Sequence, residues 1–240
     1  MNFFGDVVEW FTTASHWSGD AGAIHRLSEH VFMSTASMLV AAVIALPIGI
    51  WLGHTGRGGA LAINTSNVGR AIPSFAILVI AAQVVGIGWR PAFLALVALA
   101  VPPMVTNAYV GMREVDPDMR ESARGMGMTG RQSLWQVELP VALPLVMAGV
   151  RTAAVQVVAT ATLAALVAWG GLGRFIIDGF AQRDNVQIFA GSVLVATLAI
   201  FTELVLAGFQ RLIVPRGLRQ LETDKNVPFR GLGPGEMATE

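Results

Sequence analysis

Apolar residues along this chain fall in long unbroken blocks, not in short alternating runs. Uncharged stretches cover Val31–Gly53, Ala71–Trp89, Pro91–Met112 and Thr152–Gly173. A fifth, Asn185–Thr202, continues past Glu203 to Gln210. A helix needs about 20 apolar residues to cross the hydrocarbon core of a bilayer. The blocks therefore predict five spans, at 29–53, 61–88, 91–112, 140–168 and 186–211. The second is extended because only Arg70 interrupts Gly58–Trp89, and the fourth begins near Pro140 with Arg151 inside it. The predicted fold class is all-α, a polytopic integral membrane protein with its transmembrane domain over residues 27–214.

The two ends of the chain are patterned differently. Phe3, Phe4, Val7, Val8, Trp10 and Phe11 recur at helical spacing, with Asp6 and Glu9 opposite them. That predicts an amphipathic helix lying in the membrane interface, within an extracytoplasmic segment 1–26, with a frayed terminus as the alternative. No Lys or Arg precedes Arg26, so the basic start of a signal peptide is missing. After Pro215 the chain is polar and rich in Gly and Pro, and 215–240 reads as a cytosolic tail.

Composition supports the membrane assignment. The chain is 54% hydrophobic and 13% charged, with a mean hydropathy of +0.60, whereas soluble domains carry about a quarter charged residues. A net charge of zero argues against nucleic acid as a partner. With no cysteine, thiolate metal sites and Cys nucleophiles are excluded. His16, His25, His30 and His54 lie scattered near helix ends without metal-ligand spacing, and no catalytic Ser-His-Asp grouping stands out. The lone lysine, Lys225, follows Glu222-Thr223-Asp224, so the chain has no P-loop. If ATP drives this protein, ATP and magnesium bind another chain.

Charge sets the orientation. One set of loops holds Arg57, Arg113, Arg120, Arg124, Arg131, Arg211, Arg216, Arg219, Lys225 and Arg230. The other holds Arg26, Arg90, Arg174 and Arg183. The positive-inside rule puts the richer set in the cytosol, hence the N-terminus outside and the C-terminus inside.

The longest cytosolic loop, 113–138, reads as two short helices. Asp116 is an N-cap with Pro117 at the first helical position. Thr129 with Gln132 makes a capping box for the second helix, which Leu139-Pro140 is expected to end. Gly125 and Gly127 leave backbone uncovered, and Met126 and Met128 flank them with adaptable apolar side chains. Such a loop suits either a knob that docks in a partner's groove or a plain connection with a glycine hinge.

The same loop resembles the EAA loop of ATP-binding-cassette importer permeases. Glu121-Ser122-Ala123, then Gly127, then Val137-Glu138-Leu139-Pro140 match that motif's spacing, with Ser122 and Val137 as departures. Leu27-Ser28-Glu29-His30, Ala71-Ile72-Pro73-Ser74, Arg113-Glu114-Val115-Asp116-Pro117, Arg124-Gly125-Met126-Gly127-Met128-Thr129 and Gly170-Gly171-Leu172-Gly173 look like permeases for glycine betaine, choline, carnitine and proline. Methionine-type permeases share the five-span core and are the alternative.

The resemblance implies a type I importer core in a bacterial or archaeal cytoplasmic membrane. It implies nucleotide-binding ATPase subunits, a second permease subunit (identical or paralogous) and an extracytoplasmic substrate-binding protein as partners. It assigns coupling to the ATPase to Glu121, Ala123 and Gly127, with Gly125, Met126, Met128, Leu139 and Pro140 beside them. The chain itself is then a transport subunit and no enzyme. A secondary transporter without an ATPase would explain the spans but not the loop motif.

Candidates for a gate or pathway are fewer. Arg70, Arg151 and Glu203 are charges within or beside spans, where they anchor at the interface, pair between helices or line the path. Pro47, Pro73 and Pro102-Pro103 are expected to bend three successive spans. Asn107, one turn after Pro103, suits a freed backbone carbonyl better than a ligand. Gly49 and Gly53 form a close-contact pattern. Gly170 and Gly171 mark either an outer gate or a tight turn.

Overall fold

The computed structural model describes residues 2–214, without the side chains of Leu61, Ala62, Thr65, Ser66, Val68 and Arg70. The expected tail 215–240 and the side chain of Arg70 lie outside the described residues. The helices are α1 (Phe3–Thr12), α2 (Ala23–Thr55), α3 (Gly59–Ala71), α4 (Ser74–Val85), α5 (Trp89–Arg113), α6 (Pro117–Gly125), α7 (Gly130–Ser133), α8 (Leu139–Thr160), α9 (Gly173–Gln182) and α10 (Asn185–Ile213). No strand occurs among the described residues. Four helical runs are long and apolar enough to cross a membrane: Ala23–Thr55, Trp89–Arg113, Gly130–Val167 and Asn185–Ile213.

The span expected over 61–88 is therefore not one helix. It divides into α3 and α4 at Ile72-Pro73. A residue before proline is pushed out of the helical backbone region, and proline has no N–H to continue the ladder. Instead of bending a helix, Pro73 caps one, its carbonyl accepting from Ala76 N–H (2.9 Å) and Ile77 N–H (3.2 Å). Pro47 lies inside α2, and Pro102 and Pro103 inside α5, as expected.

Leu139-Pro140 does not end a helix either. α7 runs through a π turn over Leu134–Glu138 directly into α8. Leu139 N–H reaches back five residues to Leu134 O, and that wider turn lets Pro140 follow without a break. The amphipathic N-terminus is a helix, but its apolar face is used against protein. Val7 and Trp10 are buried, with Trp10 edge-on to Phe175 of α9 at 5.5 Å and Phe3 edge-on to Phe189 of α10 at 5.5 Å. Only Phe4 and Val8, on the other side, stay fully outward.

Helix α5 is the centre of the bundle, with α2 on one flank and α8 on the other. Ala41, Ala45, Gly49 and Gly53 recur every fourth residue of α2 and are buried. A methyl group on Gly49 would stand 2.7 Å from Ala108 Cβ, and one on Gly53 would stand 2.4 Å from Met112 Cβ. The glycines thus let α2 touch the backbone of α5, the small-residue packing that replaces hydrophobic driving force inside a bilayer. On the other flank, Gly149 of α8 sits equally close to Asn107 and Pro103 O.

Candidate functional site

The loop between α5 and α8 is built from its caps. Asp116 Oδ1 accepts from Asp118 N–H at 2.8 Å and starts α6. α6 stops at Gly127, whose φ of +82° is left-handed. Met128 N–H then bonds Ala123 O (3.1 Å) and Gly127 N–H bonds Arg124 O (2.9 Å), the paired bonds of a Schellman motif. Thr129 and Gln132 form the reciprocal capping box that opens α7. Gly127 therefore has a local folding reason, and nothing lies within 4 Å of where its side chain would be.

The motif residues separate by direction. Glu121, Gly125, Met126 and Gly127 face outward, Met126 being 71% exposed. Ala123 is buried under the loop, and Leu139 packs beside the cluster of Ala108, Met112, Val115, Ala142 and Val146. Met128 and Pro140 are half-buried. Met119 and Trp135 are exposed apolar residues of the same loop.

Beneath this loop lies a charged clasp that sequence reasoning passed over. Glu138 is 3% exposed. Its carboxylate meets His54 Nδ1 at 2.9 Å and Arg120 Nη2 at 3.4 Å, and accepts from Ser133 Oγ at 3.0 Å. Arg120 also donates to Met112 O at the C-terminal end of α5. One buried acid thus ties the C-terminal end of α2, the loop helix α6, and the start of α8. Its signal in the sequence was a single acid inside an otherwise apolar Val137–Pro140 run.

At its N-terminal end, α2 holds the Gly170–Gly173 turn. Glu29 Oε2 accepts from Gly171 N–H (2.8 Å) and from Arg26 (2.9 Å). Buried His30 accepts from Leu172 N–H at Nδ1 (3.3 Å), so Nε2 carries the proton that it gives to Val158 O (2.9 Å). Gly171 has φ +87°, and a side chain on Gly173 would strike Thr162 O at 2.1 Å. Between the two ends, Asn107 Nδ2 donates to Pro103 O (2.8 Å) and is taken up by that bond. Arg151 of α8 pairs with Glu203 and bonds Gln210 (2.8 Å), both on α10. Among the described residues no group of His, Asp and Glu is arranged to hold a metal ion.

Membrane-crossing helices, a separately capped loop and a buried clasp between the two place the chain in the class of polytopic membrane proteins. The chain belongs to the family of binding-protein-dependent transport system inner membrane components, whose profile matches residues 45–219. It is 34% identical over 199 residues to the glycine betaine/carnitine/choline transport system permease protein OpuCB of Bacillus subtilis (strain 168), covering 83% of this chain and 92% of that one. It is 35% identical over 192 residues to the carnitine transport permease protein OpuCB of Listeria monocytogenes, covering 80% and 88%. An inward-facing structure of the MetNI methionine ABC transporter superposes with a TM-score of 0.69 at 24% identity, over 80% of this chain and 96% of that one. An amino acid ABC transporter with histidines gives 0.64 at 16% identity, over 88% and 97%. These two likenesses are of fold. The resemblance carried by the loop motif is borne out by the family.

Proposed function

We propose that this chain carries glycine betaine, choline, carnitine or a similar osmoprotectant inward across the cytoplasmic membrane, powered by ATP hydrolysis on separate subunits. The observation that carries the substrate class is the 34% identity to OpuCB over 83% of the chain, because that relative is named for these solutes. The outward Met119, Met126 and Trp135 side chains give an ATPase subunit an apolar surface to grip. Movement of that subunit pulls on α6. Arg120 and Glu138 pass the movement to α8 and, through His54, to α2. The N-terminus lies outside and the C-terminus in the cytosol, in keeping with the loop charges.

A second permease subunit completes the path, and a binding protein delivers solute to the outer face. Only 17% of the most apolar stretch of α10 is buried within the chain, which leaves surface for lipid and for that subunit.

The test is uptake by the assembled complex in proteoliposomes containing ATP. Labelled glycine betaine is expected to enter, and unlabelled choline, carnitine or proline to compete. Uptake that methionine inhibits and these solutes do not would overturn the substrate class. Uptake that follows an ion gradient without ATP would overturn the mechanism.

A further inference from the structure

The Arg151–Glu203 pair stands in the membrane-crossing parts of α8 and α10. At about 1.5 Å per residue, Arg151 is about 18 Å from Leu139 along its helix. Yet the two side chains remain 28% and 39% exposed. Charges at that depth are costly against hydrocarbon and face protein or water. The surface around them agrees. Ala148, Thr152, Val155, Gln156 and Ala159 of α8 join Arg151 and Glu203 in lining a groove of about 540 Å³, mostly apolar apart from the ion pair, Thr152 and Gln156. On the side of α10 away from Glu203, Val205 and Leu212 are exposed and suit lipid. Arg151 Nε is buried without a hydrogen-bond partner among the described residues, which leaves the guanidinium a spare donor.

We propose that this groove is the chain's share of the translocation path, and that the Arg151–Glu203 pair opens to receive a zwitterionic solute. Arg151 takes the solute carboxylate and Glu203 its cationic end. Solute and ion pair offer each other the charges they already satisfy, so the exchange leaves no charge unpartnered inside the membrane. The proposal rests on the osmoprotectant reading above.

The test uses the complete complex in proteoliposomes, with its ATPase subunits and binding protein. Its probes are glycine betaine, a zwitterion, and choline, a cation without a carboxylate. Arg151→Gln is expected to lower glycine betaine uptake by about tenfold, because a charged hydrogen-bond partner is lost, and choline uptake by less than about threefold. Glu203→Gln is expected to lower both by about tenfold. The exchanged pair Arg151→Glu/Glu203→Arg restores the interhelical bond and is expected to assemble without regaining glycine betaine uptake.

Equal losses for both solutes in Arg151→Gln would overturn the proposal. So would wild-type uptake by the exchanged pair, since a purely structural ion pair tolerates exchange. If a single variant does not assemble, the exchanged pair decides by the same criterion. A wild-type complex that carries neither probe overturns the osmoprotectant reading and this proposal with it. A wild-type complex that carries both, with unaltered preference in the variants, overturns this proposal alone.

Discussion

Helix α2 is fastened at both ends, and the two fastenings are made of different chemistry. At the inner end His54 joins Arg120 and Glu138, side chain to side chain, across three separate elements. At the outer end Glu29 and His30 hold backbone N–H groups of Gly171 and Leu172. Backbone donors are fixed by the turn that carries them, and that turn is crowded: a side chain on Gly170 would stand 1.9 Å from Glu29 Oε2. Charged side chains on long stems tolerate change in distance while keeping their attraction. The inner fastening is suited to transmit motion from a loop. The outer one is suited to hold α2 and the α8–α9 turn in one body.

The largest effect is expected from breaking the inner fastening. Glu138→Leu leaves Arg120 and His54 facing an apolar group in a nearly closed site. Removing one partner of a buried charge pair costs roughly 3–5 kcal/mol. The variant is expected to lose thermal stability in detergent, and ATP-driven uptake should fail even where protein is recovered in membranes. Wild-type melting together with wild-type uptake would remove the clasp from the transmission path.

Breaking the outer fastening is expected to cost less. Gly170→Val displaces the Glu29 carboxylate from Gly171 N–H. Losing a hydrogen bond to a charged group costs about 1.5–3 kcal/mol. The contrast with the inner end lies in what else changes. Retention of the ATPase subunits during purification is expected to survive Gly170→Val, because the turn is at the opposite side of the membrane from α6. Loss of those subunits in this variant would show that the two ends act as one unit.

Much of this comparison was legible in the sequence, but unevenly. The blocks of apolar residues predict five spans, and among the described residues four helical runs are long and apolar enough to cross a membrane, because such a run needs only length and hydropathy. The break at Ile72-Pro73 was misread as a bend. Hydropathy does not distinguish a kinked helix from two helices, and Pro73 serves as a cap only because Ala76 and Ile77 donate to its carbonyl. The loop caps at Asp116 and Thr129 were read correctly since they are local. Glu138 and its partners were missed because His54 is separated from Glu138 by 84 positions. Proximity of that kind arises only when α2 packs against α5 through Gly49 and Gly53. Ala123 and Gly127 share one coupling role by resemblance to the loop motif, and the fold divides them: one is buried and the other is a helix terminator.

That last division gives the finest test of the inner end. Gly127 has two reasons to be glycine, a left-handed backbone and a surface left open to a partner. Two substitutions separate them. Gly127→Ala and Gly127→Glu impose the same backbone strain, about 1–2 kcal/mol for a residue with a side chain in that conformation. Neither meets an obstacle within the chain, since the space around the site is empty to 4 Å. The two variants are therefore expected to melt alike. They differ only in what projects outward. If the ATPase subunit comes close at this point, Gly127→Ala keeps most of its uptake and Gly127→Glu loses it. Equal uptake by both, at equal stability, would leave Gly127 as a terminator of α6 alone. Contact with the ATPase would then belong to Met119, Met126 and Trp135, and the Schellman turn would serve only to aim Met126 outward.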